Sequence, residues 1–336
     1  MLRSIQKALA ILAVCSAAIS SSAVFSQQAI ASEMETINFG IITTDAQQNL
    51  RQRWQPMLDD LGDALGVPVK AYFAPDYAGI IQAMRFKKVD LAYYGNKSAI
   101  EAVDRANAEV FARYIGEDGL EGYYSVLLAN SANDKINTLQ DVIDQRASLN
   151  FGNGEPNSTS GFLVPNYYAL AQNHISAHDF KRTVVAGHAA NVMAVANNQV
   201  DVATNHTMNL VRIKKSNPEL YKKLKVIWQS QLIPSDVMTW RKDIPEETKT
   251  KTRDFFLSYG KDGNPQALKN LKGLSWSGFA ATDNNQLLPI RQMEAYKNLI
   301  ETQDNPRLDN DEKQKRITKI QQELDTLSRQ IDAVKG

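Results

Sequence analysis

From residue 37 to residue 229 the chain repeats one alternation. Short runs rich in β-branched and aromatic residues, at 37–43, 67–73, 90–94, 123–129, 148–151, 183–186, 200–203 and 226–229, read as strands. Between them lie stretches with apolar positions three and four apart, at 48–65, 78–86, 98–105, 162–172 and 191–197, which read as amphipathic helices long enough to cross over a sheet. Strand and helix in alternation predict an α/β fold. Small and polar residues recur just after the strands: Thr43-Thr44, Pro75-Asp76-Tyr77, Gly95-Asn96, Gly152-Asn153-Gly154, Gly187-His188 and Thr204-Asn205. Ligands of open α/β sheets bind outside the carboxyl ends of strands. Six such turns from two facing sheets would line one crevice with hydroxyls, amides and backbone donors and few charges.

The first residues follow a different pattern. Arg3 and Lys7 precede an apolar run from Ala8 to Ile19, and Ala29-Ile30-Ala31 forms an A-x-A cleavage signal. Residues 1–31 thus read as a secretory signal peptide, and the protein as periplasmic. A membrane anchor would need about 20 uninterrupted apolar residues, and Ser16, Ser20, Ser21 and Ser22 interrupt this run. Cys15 after Leu12-Ala13-Val14 loosely resembles a lipoprotein box, with Val14 where a small residue is usual. Because Cys15 is the one cysteine, cleavage would leave no thiol, disulfide or cysteine metal ligand. Without Arg3 and Lys7 the 38 basic residues become 36 against 37 acidic ones, a balance that offers nucleic acid no electrostatic footprint. About 300 mature residues suggest two lobes. In the tail, Ile317, Ile320, Leu324, Leu327, Ile331 and Val334 make a heptad stripe on a helix over 306–334, which calls for an apolar partner in its own lobe or in a homodimer.

The chemistry concentrates in Gly152-Asn153-Gly154-Glu155-Pro156-Asn157-Ser158-Thr159-Ser160-Gly161, which leaves a strand and enters the apolar run Phe162-Leu163-Val164. Glycines permit the tight turn, three hydroxyls can donate, and the helix start offers unpaired N–H groups, which together suit a tetrahedral oxyanion. The plainer reading is that one hydroxyl merely caps the helix. The segment lacks the Gly-Lys-Ser/Thr ending of a nucleotide loop and the G-x-G-x-x-G of a dinucleotide site. Ser160, His188 and Asp236 supply the residue types of a hydrolase triad, but no G-x-S-x-G elbow surrounds the serine, so no catalytic residue is assigned. His174 and His178 have helical spacing yet sit in a polar turn without further ligands, so no metal or other cofactor is expected. Asn205-His206-Thr207 matches a glycosylation pattern. Tyr77, Tyr93, Tyr94, Tyr123 and Tyr124 stand near strand ends and can close over a ligand, while Trp54, Trp228, Trp240 and Trp276 read as packing residues.

Taken together these residues resemble the periplasmic phosphonate-binding proteins of ABC importers, of the type II periplasmic binding fold. The likeness runs through Asn38-Phe39-Gly40-Ile41-Ile42, Phe73-Ala74-Pro75-Asp76-Tyr77-Ala78-Gly79-Ile80-Ile81, Glu101-Ala102-Val103-Asp104-Arg105-Ala106-Asn107, the cradle segment, Asp201-Val202-Ala203-Thr204-Asn205 and Pro289-Ile290-Arg291-Gln292. The resemblance implies two lobes, 35–123 with 235–300 and 124–234, and a membrane permease as partner. It implies that Ser158, Thr159 and Ser160 hold phosphonate oxygens, helped by Tyr77, Tyr123 and His188, and that Asp236 matches one of two carboxylates that hold the ammonium of aminoethylphosphonate in amine-recognising members. Met208 stands where those members have the other, a glutamate, which points toward methylphosphonate or phosphite. Phosphate, sulfate or a sulfonate is the alternative cargo. His188 is expected to titrate near neutral pH, so that binding would weaken as pH rises.

Overall fold

The computed structural model describes residues 34–335. The signal peptide expected over 1–31, its cleavage signal and Cys15 lie outside the described residues. The first elements are β1 (Ile37–Ile41), α1 (Gln47–Leu65), β2 (Val69–Tyr72), α2 (Tyr77–Arg85), β3 (Leu91–Tyr94), α3 (Asn96–Arg105) and β4 (Ala108–Gly116). They are followed by β5 (Gly122–Asn130), α4 (Leu139–Gln145), β6 (Asn150–Asn153), β7 (Arg182–Val185), α5 (His188–Ala196), β8 (Val202–His206), α6 (Thr207–Ser216), α7 (Pro218–Lys222) and β9 (Leu224–Pro234). The chain ends with β10 (Val237–Arg241), α8 (Glu246–Ser258), α9 (Pro265–Leu274), β11 (Trp276–Ala281), α10 (Leu288–Asp304) and α11 (Asn310–Lys335).

These strands form two sheets, one ordered β11-β4-β10-β3-β1-β2 and one ordered β7-β6-β8-β5-β9. The chain passes from the first sheet to the second between Gly116 and Gly122 and returns between Pro234 and Val237. Strands β2, β1 and β3 run parallel, as do β7, β6 and β8, so their carboxyl ends open on common edges. The unbroken apolar run in β5 has a simple cause, since both faces are covered: Leu127 and Ala129 pack in one buried cluster, Val126 and Leu128 in another. On α1 the buried Leu50, Trp54, Met57, Leu58, Leu61 and Leu65 make one helical stripe. The helix stops at Gly66, whose φ of 73° lets its N–H reach Gly62 O.

The α/β alternation expected from the pattern is present, and three strands join it that the pattern did not disclose: β4, β10 and β11. Register shifts interrupt β10 against β4 between Met238 and Thr239, and β11 against β4 between Trp276 and Gly278. Such bulges break a period of two. The helix expected over 162–172 begins earlier, at Thr159, and is made largely of wide π turns (Thr159–Leu163 and Asn166–Leu170), with Pro165 between them unable to donate an N–H. Trp54, Trp240 and Trp276 are buried, as their packing role requires. The tail stripe finds a partner within the chain: Leu324 and Leu327 bury against Ala295, with Leu288, Leu299 and Ile320 around them. No helix among the described residues is long and apolar enough to cross a membrane.

Beneath the first sheet, Arg241 Nη1 meets Asp90 Oδ1 at 2.7 Å, both side chains nearly buried, while Asp90 Oδ2 accepts from Asn38 N at 2.9 Å. The pair ties β10 to the amino ends of β3 and β1, opposite the ends that carry the site. Arg241→Met should cost about 3–5 kcal/mol, because it leaves a buried carboxylate uncompensated. Urea unfolding at pH 7 tests this, and the Asp90→Asn/Arg241→Met double variant should recover most of the loss. A loss under about 1 kcal/mol for the single variant would refute it.

Candidate functional site

The turn after β6 is closed by its own backbone. Gly154 N donates to Gly161 O at 2.9 Å, and Ser158 N donates to Glu155 O at 2.8 Å. A Cβ on Gly154 would lie 2.3 Å from the Gly161 carbonyl oxygen, so only glycine permits this approach. Ser158 Oγ accepts from Gly161 N at 3.0 Å, so the capping reading of this hydroxyl is correct. The same oxygen lies 3.5 Å from His188 Nε2. Thr159 Oγ1 accepts from Lys97 N on α3 at 2.9 Å, and the Ser160 carbonyl accepts from Ser125 Oγ at 2.7 Å. Facing this turn, Asp76 caps α2 by accepting from Gly79 N at 2.7 Å, and Tyr77 N donates to Glu155 Oε2 at 3.0 Å.

Asp236 sits where the chain returns to the first sheet. Its Oδ1 accepts from Tyr123 OH on β5 and its Oδ2 from Tyr93 OH on β3, each at 2.7 Å. Burial pushes its pKa up to about 6, although both phenols and the charge of Arg212 pull it down. The imidazoles behave in the opposite sense. Burial, with a contribution from Arg212, pushes His188 down to about 4, and burial, then His188 and Arg212, pushes His206 well below the usual range. The two rings lie 4.5 Å apart between centroids, and neither Nδ1 has a hydrogen-bond partner. The expectation that His188 titrates near neutral pH is therefore corrected: desolvation keeps it almost wholly neutral at pH 6 and above.

All seven sequence-predicted residues, Tyr77, Tyr123, Ser158, Thr159, Ser160, His188 and Asp236, line one cavity. It opens at the carboxyl ends of strands from both sheets, with Thr44, Tyr77 and Gly95 after β1, β2 and β3 facing the Ser158–Ser160 turn, His188 and Met208 after β6, β7 and β8. Sequence reasoning missed Arg212 and Tyr114 in this lining, and it read Trp276 as packing alone. Tyr94, in contrast, is core, with its hydroxyl buried and unpartnered.

A family model described as "ABC transporter, phosphonate, periplasmic substrate-binding protein" matches residues 39–287. The chain belongs to this family. It is 54% identical over 300 residues to the phosphonates-binding periplasmic protein of Escherichia coli (strain K12), covering 89% of this chain and 88% of that one. A solved binding protein component of an ABC phosphonate transporter from Pseudomonas aeruginosa superposes with a TM-score of 0.87 at 48% identity, over 90% of this chain and 99% of that one. The methylphosphonate complex of PhnD1 from Prochlorococcus marinus shares the fold at 21% identity, with a TM-score of 0.70 over 77% of this chain and 97% of that one. The architecture is thus the two-lobed type II periplasmic binding fold, and members of this family are periplasmic solute-binding components of ABC importers.

Within this family frame the hydrolase alternative finds no geometry to support it. Asp236 is occupied by two tyrosines, His188 Nδ1 has no acid partner, and the histidine faces Ser158 in place of Ser160. His174 bonds to Asp304 at 2.9 Å in a left-handed turn, and among the described residues no cluster of His, Cys, Asp or Glu could hold a metal. Asn205 is fully buried and donates to His188 O at 2.9 Å, which removes it as a glycosylation acceptor.

The Asp236 carboxyl has a pH signature. Its pKa rises on folding, from 3.8 to about 6, so the stability it contributes is complete below pH 3.8 and is lost as pH rises through 6. Asp236→Asn abolishes that loss. Relative to the wild type, the variant should gain up to about 3 kcal/mol between pH 4 and pH 7. Melting curves of both proteins across this range provide the check, and a constant offset would show that Asp236 does not titrate differently in the folded protein.

Proposed function

We propose that this protein captures a small phosphonate or phosphite in the cleft between two lobes, 35–123 with 235–300 and 124–234, and presents it to the permease of an ABC importer. Export and cleavage after Ala31 belong to the same reading. The observation that carries it is the closed turn at Ser158–Ser160, which brings hydroxyls and the N–H groups of a helix start against His188 and Tyr77. Neutral donors on a helix start suit a group that brings its own negative charge. The E. coli relative, 54% identical, carries the phosphonate-binding name. Tyr77 N bonding to Glu155, and Lys97 N bonding to Thr159, tie elements of one sheet to the cradle of the other. A ligand that fits the joined arrangement favours closure in proportion to its extra affinity for it.

Met208 sets the cargo in this reading. A thioether in the cavity wall offers an ammonium nothing, and Asp236 has both oxygens engaged by phenols. Losing one charge-assisted hydrogen bond costs about 1.5–3 kcal/mol, or roughly tenfold to a hundredfold in affinity. Calorimetric titration of ligand-free mature protein with methylphosphonate, phosphite, aminoethylphosphonate, phosphate and sulfate tests the function. Methylphosphonate or phosphite should bind tightest, and Met208→Glu should strengthen aminoethylphosphonate by about ten- to a hundredfold. Tight sulfate or phosphate binding with no response to the phosphonates would overturn the cargo and leave the fold standing.

A further inference from the structure

The cavity contains one cationic group that the cradle does not use. Arg212 lies four residues after Met208 on α6, so the two side chains share a helix face, and both line the cavity. Arg212 is mostly buried, and its Nε has neither solvent contact nor a hydrogen-bond partner. A guanidinium stays charged at working pH. Both acid groups in whose field it lies are engaged elsewhere. Asp45 is held by Arg53 Nη2 at 2.8 Å, by Ala46 N at 2.7 Å and by Asn49 Nδ2 at 3.2 Å, and Asp236 is held by its two tyrosines.

Among the described residues Arg212 makes no hydrogen bond to the Ser158–Ser160 turn, although its charge reaches His188 and Tyr77 beside that turn. With the hydroxyls and N–H groups of the cradle open to the phosphonate, the guanidinium remains as a donor for a second acid group on the same ligand. Met208 and Trp276, in the same wall, offer apolar surface to a short carbon stem.

We infer that Arg212 is a second anion contact, and that the site takes small phosphonates bearing a second acid group, a short phosphonocarboxylate, ahead of alkyl- or aminophosphonates. A carboxylate can meet the guanidinium edge through two parallel N–H donors and use the unpartnered Nε. The inference rests on the phosphonate reading above and goes beyond it by naming the substituent.

The test is calorimetric titration of ligand-free mature protein with phosphonoacetate, methylphosphonate and aminoethylphosphonate, repeated on Arg212→Gln and Arg212→Lys. In the wild type phosphonoacetate should bind at least about tenfold tighter than methylphosphonate. Arg212→Gln should weaken phosphonoacetate at least about tenfold more than methylphosphonate, and Arg212→Lys should retain part of the advantage. Phosphonoacetate binding no tighter than methylphosphonate in the wild type overturns the inference, and this comparison needs no variant to fold. Equal weakening of both ligands in Arg212→Gln also overturns it, because the arginine would then serve the phosphonate group itself. Silence toward every phosphonate, methylphosphonate included, would instead sink the function on which the inference depends.

Discussion

A carboxylate removed from water must be met by donors, and where Asp236 finds them shapes the centre of this molecule. Its own residue lies on the return between β9 and β10, one phenol comes from β3 in the first sheet, and the other comes from β5 in the second. Three segments from two sheets are thereby pinned to one carboxyl group. Gly95 shows how tightly the surroundings are drawn in, since a Cβ there would lie 3.1 Å from Thr159 Oγ1 and 3.5 Å from Asp236 Oδ1. The cradle turn and the carboxylate thus share a floor in which a side chain at Gly95 would crowd Thr159. That Asp236 is pushed up to about 6 despite two phenol donors shows that desolvation outweighs the hydrogen bonds.

The same burial selects how an anion can be recognised here. Two imidazoles are held neutral well below the pH at which a free histidine gains its charge, so the donors around Ser158 are hydroxyls, ring N–H groups and backbone amides. Neutral donors cost less to bury than fixed cations, and they avoid a standing charge that an empty closed cleft would have to bear. Arg212 is the departure from this economy. Its side chain projects from the helix that follows the third parallel strand of the second sheet, whereas the cradle follows the strand beside it.

Much of this arrangement was legible along the chain because its physical causes are local. Parallel strands covered on both faces are apolar runs, and the turns after them carry the small polar residues that a crevice requires; hence Tyr77, His188 and the Ser158–Ser160 turn stand out from the order of residues alone. Asp236 and Tyr123 came from family resemblance, and the cavity contains both. Strands β4, β10 and β11 stayed hidden for a different reason. They pair antiparallel with bulges, and β4 alternates Glu109 and Arg113 among apolar residues because Glu109 accepts from Trp240 Nε1 at 2.6 Å and Arg113 bonds to Glu121. Arg212 was hidden by its neighbours. In Val211-Arg212-Ile213-Lys214-Lys215 it reads as one more solvated charge, and only the helix phase relative to Met208 distinguishes it from Lys214 and Lys215, which are exposed.

Capping and binding stood as alternatives for Ser158, and the geometry makes them compatible. A hydroxyl has two lone pairs and one hydrogen. Accepting from Gly161 N uses a lone pair and fixes the direction of the Oγ. The hydrogen is left to donate toward His188 or toward an oxyanion in front of it. The cap is therefore what orients the donor, and the glycine that supplies the capping N–H has no room for a side chain, since a Cβ on Gly161 would lie 2.8 Å from Ser158 Oγ and 3.0 Å from the His188 ring. A helix start of this kind is suited to an anion because its own terminal bonds leave one hydroxyl proton without an obligation inside the helix.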